Sequence, residues 1–439
     1  MQKREILRRE FLEAMRDIEV VDAHSHTRTP EQYYLRGPYN LFTLESYFER
    51  ELHGLVSGIP YAGCENDEQR WLQLKSALDK GRNVSFWRHN IVTYQKLYAL
   101  NDDELDDNNW GALNEAIISK SQDRNWYDYV TRKVCGIKKQ ILNIPWFEYW
   151  FAADLIKSSG DADAVSAAKW QTDDLDRTYF KGLLRMEYAL FSHKRPIVEK
   201  LGAFTNVSID NLSTLERAIQ TLIRIYIKKG IIGIKLAHAY FRTLKSSPVK
   251  RADAERIFSI AMSGHNIDAT QVKQLQDYLI YLLIEMCNEG DLLCQIHTGI
   301  QWADLSDSNP LHLMPLLEAF PNVRFDILHA GIPFIHESSV LGKLFPNVYM
   351  NMALTYVISM AMAKQTLSEL IDLVPGNRIL AFGSDVEFPE MICGHLEMAF
   401  SCVSEVLADK VCNDFLSKRE AIALVKKIFC QNGTELYRI

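Results

Sequence analysis

The sequence predicts an α/β fold, a (β/α)8 TIM barrel with a large helical insertion after its first strand. Three observations predict it. Eight short apolar, β-branched runs recur along the chain, separated by amphipathic stretches of helical period, which is the pattern of parallel strands joined by helical crossovers. At 439 residues the chain is longer than an ordinary domain but fits one large barrel, since such barrels run from roughly 200 to over 400 residues. Histidines and an aspartate close four of the runs, at the strand ends where barrel enzymes gather their catalytic groups.

Taken in order, the strands are expected near 18–24 (Ile-Glu-Val-Val-Asp-Ala-His), 138–144, 179–186, 231–237 (Ile-Ile-Gly-Ile-Lys-Leu-Ala), 292–298, 323–329, 347–353 and 378–385. Lys138, Lys139 and Arg185 interrupt the second and third runs. Residues 27–137 are far too many for an ordinary connection and must carry structure of their own. Within them 44–55, 68–80, 87–100 and 110–120 read as helices, and the aspartate and asparagine cluster at 101–109 reads as a loop and cap. The insertion is expected over one end of the barrel, as a lid or pocket wall. A smaller, irregular insertion is expected at 246–269. No repeat, low-complexity linker or composition break divides the chain, so residues 1–439 read as one domain.

Composition narrows the class. With 47% hydrophobic and 24% charged residues the chain reads as globular. Forty-nine basic against 56 acidic residues give a net charge of −7, which argues against a general nucleic-acid or anionic-membrane surface and makes a small molecule the default partner. Residues 1–10 lack an uninterrupted apolar region, so export is not expected. The uncharged run 344–363 is divided by Pro346, Asn347, Asn351 and Thr355 and reads as a buried strand followed by a helix rather than a membrane span. Eight scattered cysteines with no Cys-x-x-Cys pair read as reduced core residues of a cytoplasmic protein. A homo-oligomer is compatible with all of this.

The chemistry centres on Asp22-Ala23-His24-Ser25-His26. Residues two apart on a strand face one side about 6–7 Å apart, so His24 and His26 can converge on one ion. Alone, the pair reads more readily as two surface or core histidines. His297 closes the fifth strand, His329 the sixth and Asp385 the eighth. His24, His26, His297 and Asp385 therefore form a candidate site for a divalent metal, zinc first, with manganese or iron as alternatives.

Lys235 interrupts an apolar strand and is expected to project inward with Gly233 and Ala237. A bare ammonium there is costly unless paired or modified. Three readings stand: carboxylation to an anionic bridge between two metals, a cation holding a substrate carboxylate, or a structural pair with Asp22, Asp326 or Asp385. Arg28, Tyr240, Arg242 and Trp302 follow strands and are candidates for substrate binding, against surface or packing roles. His238, of opposite parity to Lys235, is expected in the helix layer. Arg88 and His89 read as a solvated helix face rather than a reach from the lid. Cys294, of opposite parity to His297, reads as a packed core residue rather than a nucleophile.

Asp-Ala-His-Ser-His, Gly-Ile-Lys-Leu, Gln-Ile-His-Thr-Gly, Asp-Ile-Leu-His-Ala-Gly and Phe-Gly-Ser-Asp, in this order from His24 to Asp385, resemble the amidohydrolase superfamily, and more narrowly its amidohydrolase-2 type members. The long insertion is also similar to that of uronate isomerases. The resemblance implies a distorted barrel with one or two metals and a metal-activated water. It implies that His24, His26, His297 and Asp385 hold the more buried ion, that His329 is a second-metal ligand or catalytic histidine, and that Lys235 is the bridging lysine. Asp385 would take a proton from the water and pass it to the leaving group, while His329 would stabilise the developing oxyanion. The expected activity is hydrolysis of an amide or related C–N or C–O bond in a small, carboxylate-bearing molecule. A uronate-isomerase-like isomerase or a metal-dependent decarboxylase is the alternative, and an inactive binding barrel the remaining class.

Overall fold

The computed structural model describes residues 2–45, 47–56, 58–146, 175–301 and 304–439. Eight strands form one sheet in sequence order: β1 (Val20–Ser25), β2 (Ile137–Ile144), β3 (Phe180–Arg185), β4 (Ile231–Leu236), β5 (Leu293–Ile296), β6 (Phe325–Ile327), β7 (Val348–Asn351) and β8 (Ile379–Leu380). Each falls within one or two residues of a run expected from sequence, although β5 to β8 are shorter than those runs. The order, with helices in every connection but β2 to β3, most of which lies outside the described residues, is that of a (β/α)8 TIM barrel. β3 through β7 pair in parallel, Lys235 opposite Arg185 on one side and Gln295 on the other. Gly233 permits the close approach of β4 to β5, because a Cβ there would collide with the Leu293 carbonyl.

The chain divides into two compact units, one of Met1–Gln140, Met352–Ser368 and Leu380–Thr434, the other of Ile141–Asn351, Glu369–Ile379 and Glu435–Ile439. In the first unit, the stretch after β8 runs beside β1: Ala23 N–H donates to the Phe382 carbonyl at 3.0 Å, Asp385 N–H to His24 at 2.8 Å, and His26 N–H to Val386 at 3.2 Å. Asp22, inside this ladder, is fully buried and accepts from Ser384 N–H and Oγ, both at 2.7 Å, and from Gln140 Nε2 at 3.1 Å. Burial nevertheless raises its carboxyl to about 6.

The first unit also holds the insertion, whose expected helices are present as Phe48–Val56, Asp67–Gly81, Ser85–Tyr98 and Trp110–Gln122, preceded by Pro30–Arg36. Pro30–Arg36 starts on a capping box, in which the Thr29 side chain accepts from Gln32 N–H and Gln32 reaches back to Thr29 N–H. Asn109 precedes the last helix but makes no side-chain cap bond. Its Oδ1 accepts from Asp106 N–H at 2.9 Å instead, which closes the 101–109 loop on itself.

The second unit has a buried polar layer of its own. Gln295 Nε2 and the Tyr437 hydroxyl each donate to Asp326 Oδ2 at 2.7 Å, Asn351 Nδ2 donates there at 3.4 Å, and Asn143 Nδ2 donates to Gln295 Oε1 at 3.2 Å. The 246–269 stretch is not irregular: it forms the helix Arg251–Met262, burying Ala254, Ile257 and Phe258. The run 344–363 contains β7 and the short helix Thr355–Ile358 and leads into Met360–Leu373. Among the described residues one helix, Pro389–Cys412, is long and apolar enough to cross a membrane, and 83% of its apolar window is buried within the protein. All eight cysteines are free.

Candidate metal centre and its surroundings

At the end of β1, His24 Nε2 and His26 Nε2 each lie 3.2 Å from the same oxygen, Oδ1 of Asp385. One ligand atom from each residue falls within 4.8 Å of the other two. Three ligands about 2.0–2.1 Å from a tetrahedral ion stand about 3.3 Å apart, so the donor set and its spacing suit a divalent cation. His24 and Asp385 are buried, whereas the His26 side chain is 34% exposed and leaves the group an open side. Burial alone would push the Asp385 carboxyl up. The adjacent His24 and His26 outweigh it and hold that carboxyl well below the usual carboxylate range.

Asp385 owes its direction to its backbone. It sits at φ +54°, the left-handed region that a non-glycine residue enters at a cost of about 1–3 kcal/mol. Neighbours hold it there: its N–H is bonded to the His24 carbonyl at 2.8 Å, its carbonyl accepts from the Tyr47 hydroxyl at 2.7 Å, and the preceding Ser384 carbonyl lies 2.9 Å from His395 Nδ1. Tyr47 and His395 were not among the sequence candidates. Tyr47 lies 338 positions from its partner in an insertion with no motif, whereas His395, a buried histidine within an apolar helix, was a visible signal.

In the second unit a different cluster closes β5 and β6. His329 Nε2 lies 3.0 Å from His297 Nδ1, and the Tyr240 hydroxyl lies 3.3 Å from the same nitrogen. His297 Nε2 faces the Ile300 carbonyl at 2.8 Å. A carbonyl only accepts, so Nε2 is the donor in that contact, and when the ring carries a single proton Nδ1 is left to accept from its neighbours. The nitrogens of His297, read from sequence as a metal ligand, serve these partners. His329 and Ala330 also adopt positive φ, 61° and 41°, so His329, like Asp385, is held in strained backbone at a strand end.

Lys235 is buried on β4. Of the carboxylates considered for it, Asp326 lies in its own unit and feels its charge: burial raises the Asp326 carboxyl, while Gln295, Tyr437, Asn351 and Lys235 pull it back. Arg242, a substrate-binding candidate, is committed elsewhere. It pairs with buried Asp277 at 2.5 Å and donates to the Thr243 and Lys245 carbonyls at 3.0 and 3.1 Å, which is a structural anchorage. Arg28 is stacked on Phe388 and Tyr39. Tyr240 is 41% exposed, and Trp302 lies outside the described residues. His238 is fully buried, and burial lowers its imidazole to about 3. Arg88 is exposed as expected, but His89 is not solvated: it is fully buried, with Nε2 2.7 Å from the Met391 carbonyl. Cys294 is a core thiol, raised by burial well above its usual range.

The fold is an α/β barrel, and His24, His26 and Asp385 form a group whose spacing could hold a divalent cation. The amidohydrolase family model matches residues 232–439, a little under half of the chain. Protein fluG of Emericella nidulans is 25% identical over 223 residues, a stretch that is 48% of this chain but only 26% of that relative. Three solved structures share the fold over nearly the whole chain. A uronate isomerase from Thermotoga maritima has TM-score 0.78 and 15% identity, covering 98% of this chain and 97% of its own. A glucuronate isomerase from Caulobacter crescentus has 0.73 and 13%, covering 99% and 94%. A protein assigned as a metal-dependent hydrolase from Lactobacillus casei has 0.63 and 18%, covering 97% and 96%.

Proposed function

We propose that the protein is a metal-dependent hydrolase that cleaves an amide or related C–N or C–O bond of a small carboxylate-bearing molecule. The observation that carries the reading is the convergence of His24 Nε2 and His26 Nε2 on one oxygen of Asp385. These three residues would hold a divalent ion, zinc being the first expectation for a nitrogen and oxygen donor set. When bound, such an ion polarises a carbonyl and brings the pKa of water towards 7. Asp385, kept ionised, accepts a proton at its carboxylate and returns it to the leaving amine or alcohol. Its left-handed backbone fixes the carboxylate in place, so little reorganisation is needed when the proton moves. His329, with Nε2 directed at a neutral His297, is suited to hold or donate a proton at that nitrogen.

A second reading, isomerisation of a uronate, is favoured by the structural likeness to uronate isomerases over 98% and 99% of this chain, the insertion included. One screen separates the two. Zinc- or manganese-loaded protein is offered N-acyl and γ-glutamyl amides, then aromatic carboxylates, then uronates. Release of amine that stops on chelation supports the hydrolase, loss of carbon dioxide from the aromatic acids a decarboxylase, and conversion of a uronate without amide cleavage the isomerase. A metal-replete protein inactive on all three classes would remove the catalytic reading.

A further inference from the structure

The position of Asp385 beside His24 hangs on one peptide unit, the one that joins Ser384 to Asp385. Its N–H donates to the His24 carbonyl at 2.8 Å, and its carbonyl lies 2.9 Å from His395 Nδ1. Ser384 is anchored on its other side by Asp22, which accepts from its N–H and its Oγ, both at 2.7 Å. Asp385 stands at φ +54°, and turning over this one peptide would return it to the ordinary region of negative φ. The same turn would break the bond to the His24 carbonyl, which keeps the carboxylate in register with the imidazoles. A donor fixed at the Ser384 carbonyl resists it.

His395 lies fully buried on the helix Pro389–Cys412. The rings of Phe382, Tyr356 and His89 surround it, with centres 5.1, 5.7 and 6.0 Å from its own. Burial pushes its imidazole down to about 3, and His89 adds to that shift, so the ring is neutral and carries one proton. The Ser384 carbonyl only accepts, so that proton sits on Nδ1. Among the described residues Nε2 has no hydrogen-bond partner. An apolar side chain would fill the same cage without the cost of burying a polar ring, and the polar bond that His395 makes in exchange is the one to Ser384. The insertion fixes the helix that carries it. His89 Nε2, on the helix Ser85–Tyr98, lies 2.7 Å from the Met391 carbonyl, and a Cβ at Gly394 would collide with Thr93 Oγ1, so the two helices meet closely at the residue before His395.

We propose that His395 is a positioning residue of the metal centre: by donating Nδ1–H to the Ser384 carbonyl it locks the peptide that keeps Asp385 against His24, and so sets how tightly the ion is held. It acts through Ser384 and not on the ion itself. The inference rests on the metal-centre reading for its consequence, whereas the lock on the peptide stands without it. Partners one bond behind a metal ligand are worth about 10–100-fold in metal affinity.

The test compares full-length His395→Leu, which loses the donor and keeps the cage filled, with His395→Asn, whose amide nitrogen takes the place of Nδ1, and His395→Gln, whose amide lies one bond further out. Hydrogen–deuterium exchange over residues 382–388 is followed in the metal-free proteins, and zinc affinity is measured by competition with a chelator of known strength. His395→Leu is expected to speed exchange about tenfold and to weaken zinc about 10–100-fold. His395→Asn is expected to stay within about threefold of the wild type in both measurements. Should the leucine variant fold poorly, His395→Gln takes its place, since it is as polar as asparagine and is expected to fall with leucine. A histidine that only fills the core would lower stability to urea in all three variants and leave zinc affinity unchanged. Wild-type exchange or wild-type zinc affinity in the variant without the donor, or an asparagine variant no better than glutamine, would overturn the proposal. Absence of bound zinc in the wild type would instead strike the metal-centre reading, and the exchange rates would still decide whether His395 holds the peptide.

Discussion

The strand ends of the two units use the same residue type for opposite purposes. At the end of β1, His24 and His26 both direct Nε2 at one carboxylate oxygen, so two imidazole nitrogens face an anion and the spacing suits a cation. Beyond β5 and β6, His329 and Tyr240 both approach one nitrogen of His297, whose other nitrogen faces a carbonyl. There the contacts are among two rings, a hydroxyl and a carbonyl. The difference teaches that histidines at barrel-strand ends can be gathered around a carboxylate, with the spacing a cation needs, or around one another and a hydroxyl.

Asp385→Asn separates the two clusters most strongly. It keeps the shape and removes the proton acceptor, so turnover is expected to fall about 10²–10⁴-fold, with metal partly retained on two imidazoles. Near-normal turnover at full metal occupancy would take Asp385 out of the mechanism. Arg242→Met tests whether a charged strand-end residue in the second unit is structural. It leaves buried Asp277 to Lys273 and the Ser247 N–H, and stability to urea is expected to drop by about 3–5 kcal/mol with metal content unchanged. A stable variant with altered substrate preference would return Arg242 to the substrate. His329→Gln keeps a donor but cannot carry a proton, and a smaller fall in turnover, roughly 10–10²-fold, is expected with no loss of metal. Loss of metal in that variant would make His329 a ligand and break the contrast.

The smallest effect concerns the insertion of the first unit. Burial, opposed by the hydrogen bond from Tyr61 and assisted by Glu49, raises the Glu45 carboxyl from 4.5 to about 8. Between those values the unfolded chain has released its proton and the folded chain has kept it, so stability falls as pH rises from about 4.5 to 8 and levels off above. Glu45→Gln keeps an acceptor for Tyr61 and is expected to flatten that fall, with a gain on the order of 1–3 kcal/mol above pH 8. Parallel denaturation curves for the two proteins across this range would show that Glu45 ionises normally.

The strands were legible because a barrel strand buried on both faces must be apolar almost throughout, and chemistry-bearing residues at its end then stand out. That logic singled out His24, His26, His297, His329 and Asp385 as candidates without any long-range information. It did not expose what those residues touch. Arg242 looked available because Asp277, its partner, lies 35 positions away on another helix. The link from Tyr437 to Asp326 spans 111 positions and leaves no local trace. The helix at Arg251–Met262 was legible and was misread. Ala254, Ile257, Phe258 and Ala261 follow helical spacing.

The central claim is that His24, His26 and Asp385 hold a divalent ion. Elemental analysis of protein purified and dialysed in parallel as the wild type and as the His24→Ala, His26→Ala, Asp385→Asn triple variant tests it most directly, with folding checked by circular dichroism. The account predicts close to one tightly held metal per chain in the wild type, and none in a folded triple variant. Equal metal in the two proteins would contradict it.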